Sequence, residues 1–337
     1  MRKFNVAIVG ATGAVGETFL EILKQRDFPL ANLYALASER SEGRQVQFGD
    51  EDITVTALDD FDFSQVDFAF FSAGSSVSKT YAPKAAEAGA IVIDNTSCFR
   101  YESDIPLVVP EVNPQALENF RDRNIIANPN CSTIQLVMVL KPIHDEVGIE
   151  RVNVATYQAV SGAGRRAVEE LAKQTAQVLN GEQAESEVFK HQIAFNCFPG
   201  IDRFEDNGYT FEEMKMNRET KKILGDDRIE VNATCVRIPV FYGHSEAVHL
   251  ETMQPISVEE VRALLENMPG VAILPEKEYP TAVSHAMAAD EVFVGRLRKD
   301  ISHPNGINLW IVADNIRKGA ALNAVQIAEY LIEREMV

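Results

Sequence analysis

Asn5-Val6-Ala7-Ile8-Val9-Gly10-Ala11-Thr12-Gly13-Ala14-Val15-Gly16 joins a short β-favouring run to a turn of three glycines, and the apolar positions that follow, Phe19, Leu20 and Leu23, keep helical spacing. The stretch reads as strand, glycine turn, helix. Backbone N–H groups at such a turn can approach a pyrophosphate, while the last glycine lets helix and sheet close up. The usual spacing is G-x-G-x-x-G, and here the middle glycine, Gly13, is displaced by one residue. A tight turn that binds nothing is the alternative.

The pattern continues outward from this unit. Strand signals recur at Leu33–Ala37, Ile53–Val55, Asp67–Phe71 and Ile91–Asp94, with an alanine-rich helix from Ser78 to Ala88. Such alternation predicts a mostly parallel sheet in an α/β domain, whose ligands bind at the carboxyl ends of the strands. At the end of the second strand, Ser38-Glu39-Arg40-Ser41 falls where dinucleotide folds read the ribose. Glu39 suits a 2′-hydroxyl; Ser38, Arg40 and Ser41 suit a 2′-phosphate. Two hydroxyls and a guanidinium outweigh one carboxylate, so NADP is expected over NAD. Arg100, just beyond Asn95-Thr96-Ser97, stands at the same strand edge as a candidate anion ligand.

The second decisive stretch is Asn128-Pro129-Asn130-Cys131-Ser132-Thr133, a stiff polar turn between the apolar runs 125–127 and 134–140. It ends a strand and opens a helix, placing Cys131 in the helix's first turn. Unpaired N–H groups and the helix dipole favour a thiolate there, and a thiolate is a nucleophile. A buried structural cysteine is the plain alternative, but such residues more often lie within apolar runs.

Composition bounds the possibilities. The 337 residues suffice for two domains, with 46% hydrophobic and 24% charged residues as in ordinary globular chains. No apolar run reaches the roughly 20 residues that span a bilayer. The strand pattern begins at once after Met1-Arg2-Lys3-Phe4, so no signal peptide is expected and the cytoplasm is the expected location. Cys98, Cys131, Cys197 and Cys235 have neither paired nor metal-like spacing, so no disulfide frame and no metal are expected. A net charge of −18 disfavours nucleic acid and anionic membranes as partners.

Beyond Cys131 the pattern changes to longer strands. Val152, Val154, Thr156, Gln158 and Val160 share one face of a strand that leads to Ser161-Gly162-Ala163-Gly164 and a helix from Arg165 to Leu179. Further strands are expected at Glu230–Val240, containing Arg237, and at His244–Glu251, where His244 and His249 point to opposite faces. An arginine within an apolar strand is rarely buried unpaired, so Arg237 either has a carboxylate partner in the protein or awaits one on a ligand. A helix from about Tyr209 to Leu224 puts Glu212 and Lys215 on one face, where a surface ion pair is the default. Ser257-Val258-Glu259-Glu260 is a capping box for a helix to about Met268. Leu309–Val312 is a strand, and the stripe Ala321, Val325, Ala328 and Ile332 marks a last helix that packs back on the first domain. The expected architecture is a Rossmann-like dinucleotide-binding domain, residues 1–128 plus 316–337, with an inserted α+β domain, residues 129–315.

A thiol, a histidine on a strand, anion-binding candidates and a dinucleotide turn suit aldehyde oxidation, or its reverse, through a thioester. The chain resembles the bacterial aspartate-β-semialdehyde dehydrogenases over essentially its whole length. The resemblance rests on the 10–16 glycine turn, Asn128–Thr133, Gln158–Gly164, Arg237-Ile238-Pro239-Val240 leading to Gly243-His244-Ser245-Glu246, and Asp314-Asn315-Ile316-Arg317-Lys318-Gly319. It implies NADPH-dependent reduction of L-aspartyl 4-phosphate to L-aspartate 4-semialdehyde and phosphate, in lysine, methionine, threonine and diaminopimelate biosynthesis. It further implies that the inserted domain is catalytic and dimerising, in a homodimer or dimer-based tetramer. By the same resemblance Cys131 is the nucleophile and His244 the general acid/base. Arg237 would hold the substrate α-carboxylate, Gln158 would orient the substrate, Glu212 would meet its amino group, and Asn130 would assist. Arg100 and Lys215 would hold phosphate. Gly10, Thr12, Gly13, Ala14, Val15, Ser38, Arg40, Ser41, Ser161, Gly162 and Asn315 would contact NADP. Three alternatives stay open: an N-acetyl-glutamyl-phosphate reductase, a catalytically silent Rossmann-fold binding subunit, and a cysteine hydrolase, the last leaving the glycine turn unexplained.

Overall fold

A computed structural model describes residues 2–337, which divide into two units: residues 2–130 with 320–337, and residues 131–319. The divisions fall at Asn130/Cys131 and Gly319/Ala320, a few residues beyond the positions read from sequence.

In the first unit, β1 (Phe4–Val9) leads through the glycine turn into α1 (Ala14–Gln25). There follow β2 (Leu30–Ala37), β3 (Gln45–Phe48), β4 (Glu51–Ala57), β5 (Phe68–Phe71), α2 (Ser75–Glu87), β6 (Ile91–Asp94) and β7 (Ile125–Ala127). The sheet order is β3-β4-β2-β1-β5-β6-β7, parallel except for β3, which pairs antiparallel with β4. The order reverses between β1 and β5, and β1 is almost wholly buried because helices cover both faces of a parallel sheet. Phe4, Phe19, Phe68 and Phe70 form its core with Val325, Ala328 and Leu331 of the C-terminal helix (Leu322–Glu333). Three residues of the expected stripe, Ala321, Val325 and Ala328, are buried; Ile332 packs at the margin.

The second unit opens with α3 (Cys131–Val147), then β8 (Ile149–Gln158), α4 (Arg165–Leu179), α5 (Phe211–Leu224), β9 (Glu230–Arg237), β10 (His244–Thr252), α6 (Val258–Glu266), β11 (Val271–Ile273), β12 (Val292–Lys299) and β13 (Gly306–Ala313). These strands form a mixed sheet in the order β11-β12-β13-β10-β8-β9. Helix α3 packs on β8, β10 and β13 and touches α5 and α6, which explains why eleven of its seventeen residues are buried.

Several boundaries differ from the sequence reading for local reasons. β9 stops at Arg237 rather than Val240, because Pro239 has no N–H for the ladder. α5 begins at Phe211, with Thr210 as its cap in a capping box closed by Glu213. α6 starts at Val258 behind the Ser257 capping box and ends at Glu266. The short strands β3 and β11, and β12 with its bulge between Gly295 and Arg298, carried too little alternation to be read in advance.

Candidate active site

Three adjacent strands of the second sheet bring three expected residues to one end. Gln158 closes β8 and stands opposite Arg237, which closes β9. His244 opens β10, which runs antiparallel to β8 and pairs Ser245 with Tyr157 one step further in. The period-two rule then points Gln158, Arg237 and His244 to the same face, and all three are buried. Cys131 opens α3 at this end: Gln158 Nε2 donates to Ser132 Oγ at 2.6 Å and to Glu212 Oε1 at 3.0 Å.

Among the described residues Arg237 has no carboxylate partner, the first of the two alternatives posed for it. Its Nη1 donates to the Ala159 carbonyl at 2.6 Å, and no carboxylate of the described residues lies within ion-pair distance. Burial lowers its pKa, and Glu212 and Cys131 act on it from further off in the opposite sense. A guanidinium so buried without a carboxylate partner is costly. Its positive charge and the start of α3 both favour the thiolate of Cys131.

Burial, and then the charge of Arg237, lower the pKa of His244 to about 3, against opposing contributions from Glu212 and the Gly243 backbone. Its Nδ1 accepts the Ala159 N–H at 3.1 Å. The neutral ring therefore carries its proton on Nε2. A Cβ at Gly162 would lie 3.1 Å from Arg237 Nη1 and 3.3 Å from His244 Nε2, so this glycine keeps the space before both nitrogens open. Asn315 holds the surrounding loops, accepting the Gly243 N–H at 2.9 Å and donating to Ser161 Oγ at 3.0 Å.

Glu212 and Lys215 form the ion pair foreseen from their spacing, at 2.9 Å, but the pair is nearly buried rather than on the surface. Lys215 also reaches Asp202 at 3.1 Å. Asp202 lies in an irregular segment, and nothing in its spacing to Lys215 could have announced the contact.

In the first unit, a cleft of about 730 Å³ opens at the carboxyl ends of β1, β2 and β5. Gly10, Thr12, Gly13, Ser38 and Arg40 line it; Ala14, Val15 and Ser41 do not. Gly10 has φ +95°, and a Cβ there would come within 2.9 Å of the Ser72 carbonyl, so only glycine lets the ends of β1 and β5 approach at the point where strand order reverses. The residues fit a dinucleotide: a glycine cradle, an apolar wall from Ala37, Leu58 and Val77, and the guanidinium of Arg40. Asp59 and Tyr81, hydrogen-bonded to one another, also line the cleft and were not foreseen. Glu39 lines it as well, beside Arg40. Arg100 and Asn130 belong to this unit and are buried, with Arg100 Nη2 donating to the Asn95 carbonyl at 2.7 Å. Among the described residues no His, Cys, Asp and Glu gather as a metal site, and all four cysteines are free thiols.

A thiol at a helix start beside a buried guanidinium and a neutral imidazole suits an aldehyde dehydrogenase that works through an acyl-enzyme, and comparison with known proteins agrees with that class. Residues 5–120 match the semialdehyde dehydrogenase NAD-binding domain and residues 140–318 the semialdehyde dehydrogenase dimerisation domain, so the chain belongs to the semialdehyde dehydrogenase family. It is an oxidoreductase acting on an aldehyde group. Aspartate-semialdehyde dehydrogenase 2 of Vibrio cholerae is 62% identical over 98% of both chains. The crystal structure of Vibrio cholerae aspartate semialdehyde dehydrogenase II complexed with ASA superposes with a TM-score of 0.98 at 61% identity, covering 99% of each chain. The Candida albicans enzyme, solved with NADP, gives a TM-score of 0.79 at 25% identity over the full length of both.

Proposed function

We propose that the chain reduces L-aspartyl 4-phosphate to L-aspartate 4-semialdehyde with release of phosphate, using NADPH, in the route to lysine, methionine, threonine and diaminopimelate. The observation that carries this reading is the buried, carboxylate-free Arg237 beside Gln158 and Cys131, a receptor for an amino acid's carboxylate next to a nucleophile. The thiolate of Cys131 attacks the acyl carbon, and the C–O bond to phosphate breaks to leave a thioester. His244 donates from Nε2 to the oxygen that gains charge, so the resting tautomer supplies the acid half of its acid/base role. Arg237 grips the α-carboxylate through its planar fork, Gln158 orients the acyl chain, Glu212 receives the amino group, and Asn130 assists beside the thiol. Arg100 and Lys215 take the phosphate. NADPH, when bound, supplies the hydride that brings the thioester to the aldehyde level. Its holders are Gly10, Thr12, Gly13, Ala14, Val15, Ser38, Arg40 and Ser41, with Ser161, Gly162 and Asn315 from the second unit.

The match to a dimerisation domain supports a homodimer, alone or paired into a tetramer. Four free thiols and the absence, among the described residues, of any helix long and apolar enough to cross a membrane accord with a cytoplasmic enzyme. The test is covalent. With semialdehyde and NADP but no phosphate, one equivalent of NADPH per active site should form and the acyl group should remain on Cys131, found by peptide mass spectrometry. A burst that survives Cys131→Ala, or an adduct on Cys98, Cys197 or Cys235, would sink the mechanism.

A further inference from the structure

Asn128 has no part in the reaction described above, yet it is wholly buried and its amide is the middle link of three. Asn323, on the C-terminal helix and equally buried, donates from Nδ2 to the Val108 carbonyl at 2.9 Å and to Asn128 Oδ1 at 2.7 Å. Asn128 Nδ2 donates in turn to the Ala320 carbonyl at 3.1 Å and to Asn95 Oδ1 at 2.5 Å. A main-chain carbonyl can only accept, so Val108 and Ala320 fix which way each amide faces, and the relay runs from Asn323 through Asn128 to Asn95. The main chain of Asn95 is held as well: its N–H donates to the Phe71 carbonyl at the end of β5, and its carbonyl accepts Arg100 Nη2 at 2.7 Å. One residue on, the loop has an anchor of its own, because Asp94 accepts from the Thr96 N–H at 3.0 Å and from Thr96 Oγ1 at 2.8 Å. The Asn128 N–H donates to the Asp94 carbonyl at 2.8 Å, which sets the turn of residues 128–130 alongside this loop. All of these groups belong to the first unit.

We propose, resting on the phosphate role given to Arg100, that Asn128 is a positioning residue: through Asn95 it holds the guanidinium of Arg100 in place beside the turn that carries Asn130. Arg100 is buried, so a shift of the Asn95 carbonyl passes directly to the guanidinium that this carbonyl grips. An arginine already ordered in this way meets an anion without first giving up its rotamer freedom. Asn128 and Asn323 do this without touching substrate. Because Thr96 is tied separately to Asp94, loss of the relay loosens Asn95 and Arg100 while the rest of the loop keeps its anchor.

Asn128→Ala, Asn95→Ala, the double variant of these two, Asn323→Ala and Arg100→Ala are made in the full chain. Each is assayed in the oxidative direction for kcat and for the KM of phosphate, semialdehyde and NADP, and its thermal midpoint is measured. Asn95→Ala keeps the carbonyl that meets Arg100 and loses only the tie to Asn128. Asn128→Ala and Asn95→Ala should each raise the KM for phosphate by about tenfold, while the KM for NADP stays within about twofold of the parent. The two substitutions break one link, so the double variant should raise it no further than the larger single effect. Asn323→Ala, one link further from the anion, should move the phosphate KM in the same direction by a smaller factor. A lowered thermal midpoint with an unchanged KM for phosphate would leave Asn128 a purely fold-holding residue and overturn the proposal. So would single effects that multiply, to about a hundredfold, in the double variant. Should Asn128→Ala fail to fold, Asn95→Ala and Asn323→Ala carry the same decision through their own double variant. An Arg100→Ala variant with the parent's KM for phosphate would instead refute the phosphate role of Arg100, and the proposal with it.

Discussion

The Ala159 N–H donates to Nδ1 of His244, which sets the imidazole's proton on Nε2 and faces it into the space left by Gly162. With its pKa lowered to about 3, the ring stays neutral across the working pH range. The kcat profile should therefore show no limb near the ordinary histidine value. His244→Ala should slow acylation by roughly 10²- to 10⁴-fold. Stability carries a signed consequence. Below the unfolded-state value the unfolded chain takes up a proton that the folded ring refuses, so acidification from neutral pH toward the folded value destabilises the wild type by up to about 1.4 kcal/mol per pH unit. His244→Gln should lose less stability between pH 7 and 5 when unfolding is followed in urea. Equal losses would place a different group behind the acid sensitivity.

Arg237 and Lys215 should separate kinetically. Arg237→Lys keeps charge but loses the planar fork, so kcat/KM for the semialdehyde should fall by roughly 10- to 100-fold while the KM for phosphate changes little. Lys215→Ala should raise the KM for phosphate in the oxidative direction. Because Lys215 sits between Glu212 and Asp202, its loss also leaves two carboxylates together, and a smaller effect on semialdehyde use is expected through Glu212. Identical profiles for the two variants would refute separate anion sites.

Cofactor choice turns on Arg40, which shares the cleft with Glu39. NADP should give the higher kcat/KM, and Arg40→Ala should erode that preference by about 10- to 150-fold, the worth of a charge-assisted hydrogen bond of about 1.5 to 3 kcal/mol. Glu39→Gln should improve use of NADP or leave it unchanged, since the carboxylate repels a 2′-phosphate. Steady-state kinetics with both cofactors decides it; equal damage to each would remove Arg40 from the ribose site.

Much of this was legible because the signals are local. The glycine turn, the Ser257 capping box, the alternation that buries Val152, Val154, Thr156 and Gln158, and the limits of α4 each depend on residues within a few positions of one another. What escaped reading depends on contacts between distant residues. Asp202 finds Lys215 only after α5 has docked, and Tyr81 meets Asp59 across the end of the first sheet. β11 and β12 lie toward one edge of their sheet, where partial exposure blurs the hydrophobic alternation.

The approach of Gly319 to Cys131 reaches beyond catalysis. A Cβ at Gly319 would sit 3.0 Å from Cys131 Cβ, so the first and last residues of the second unit are neighbours, and Asn128 likewise donates to the Ala320 carbonyl within the first. Each unit thus closes on itself where the chain crosses, and a segment with coincident ends can be spliced into a host fold at small loop-closure cost. Cys131, the proposed nucleophile, is the residue at which that segment begins, so the proposed point of chemistry and the point of splicing are the same place in the chain.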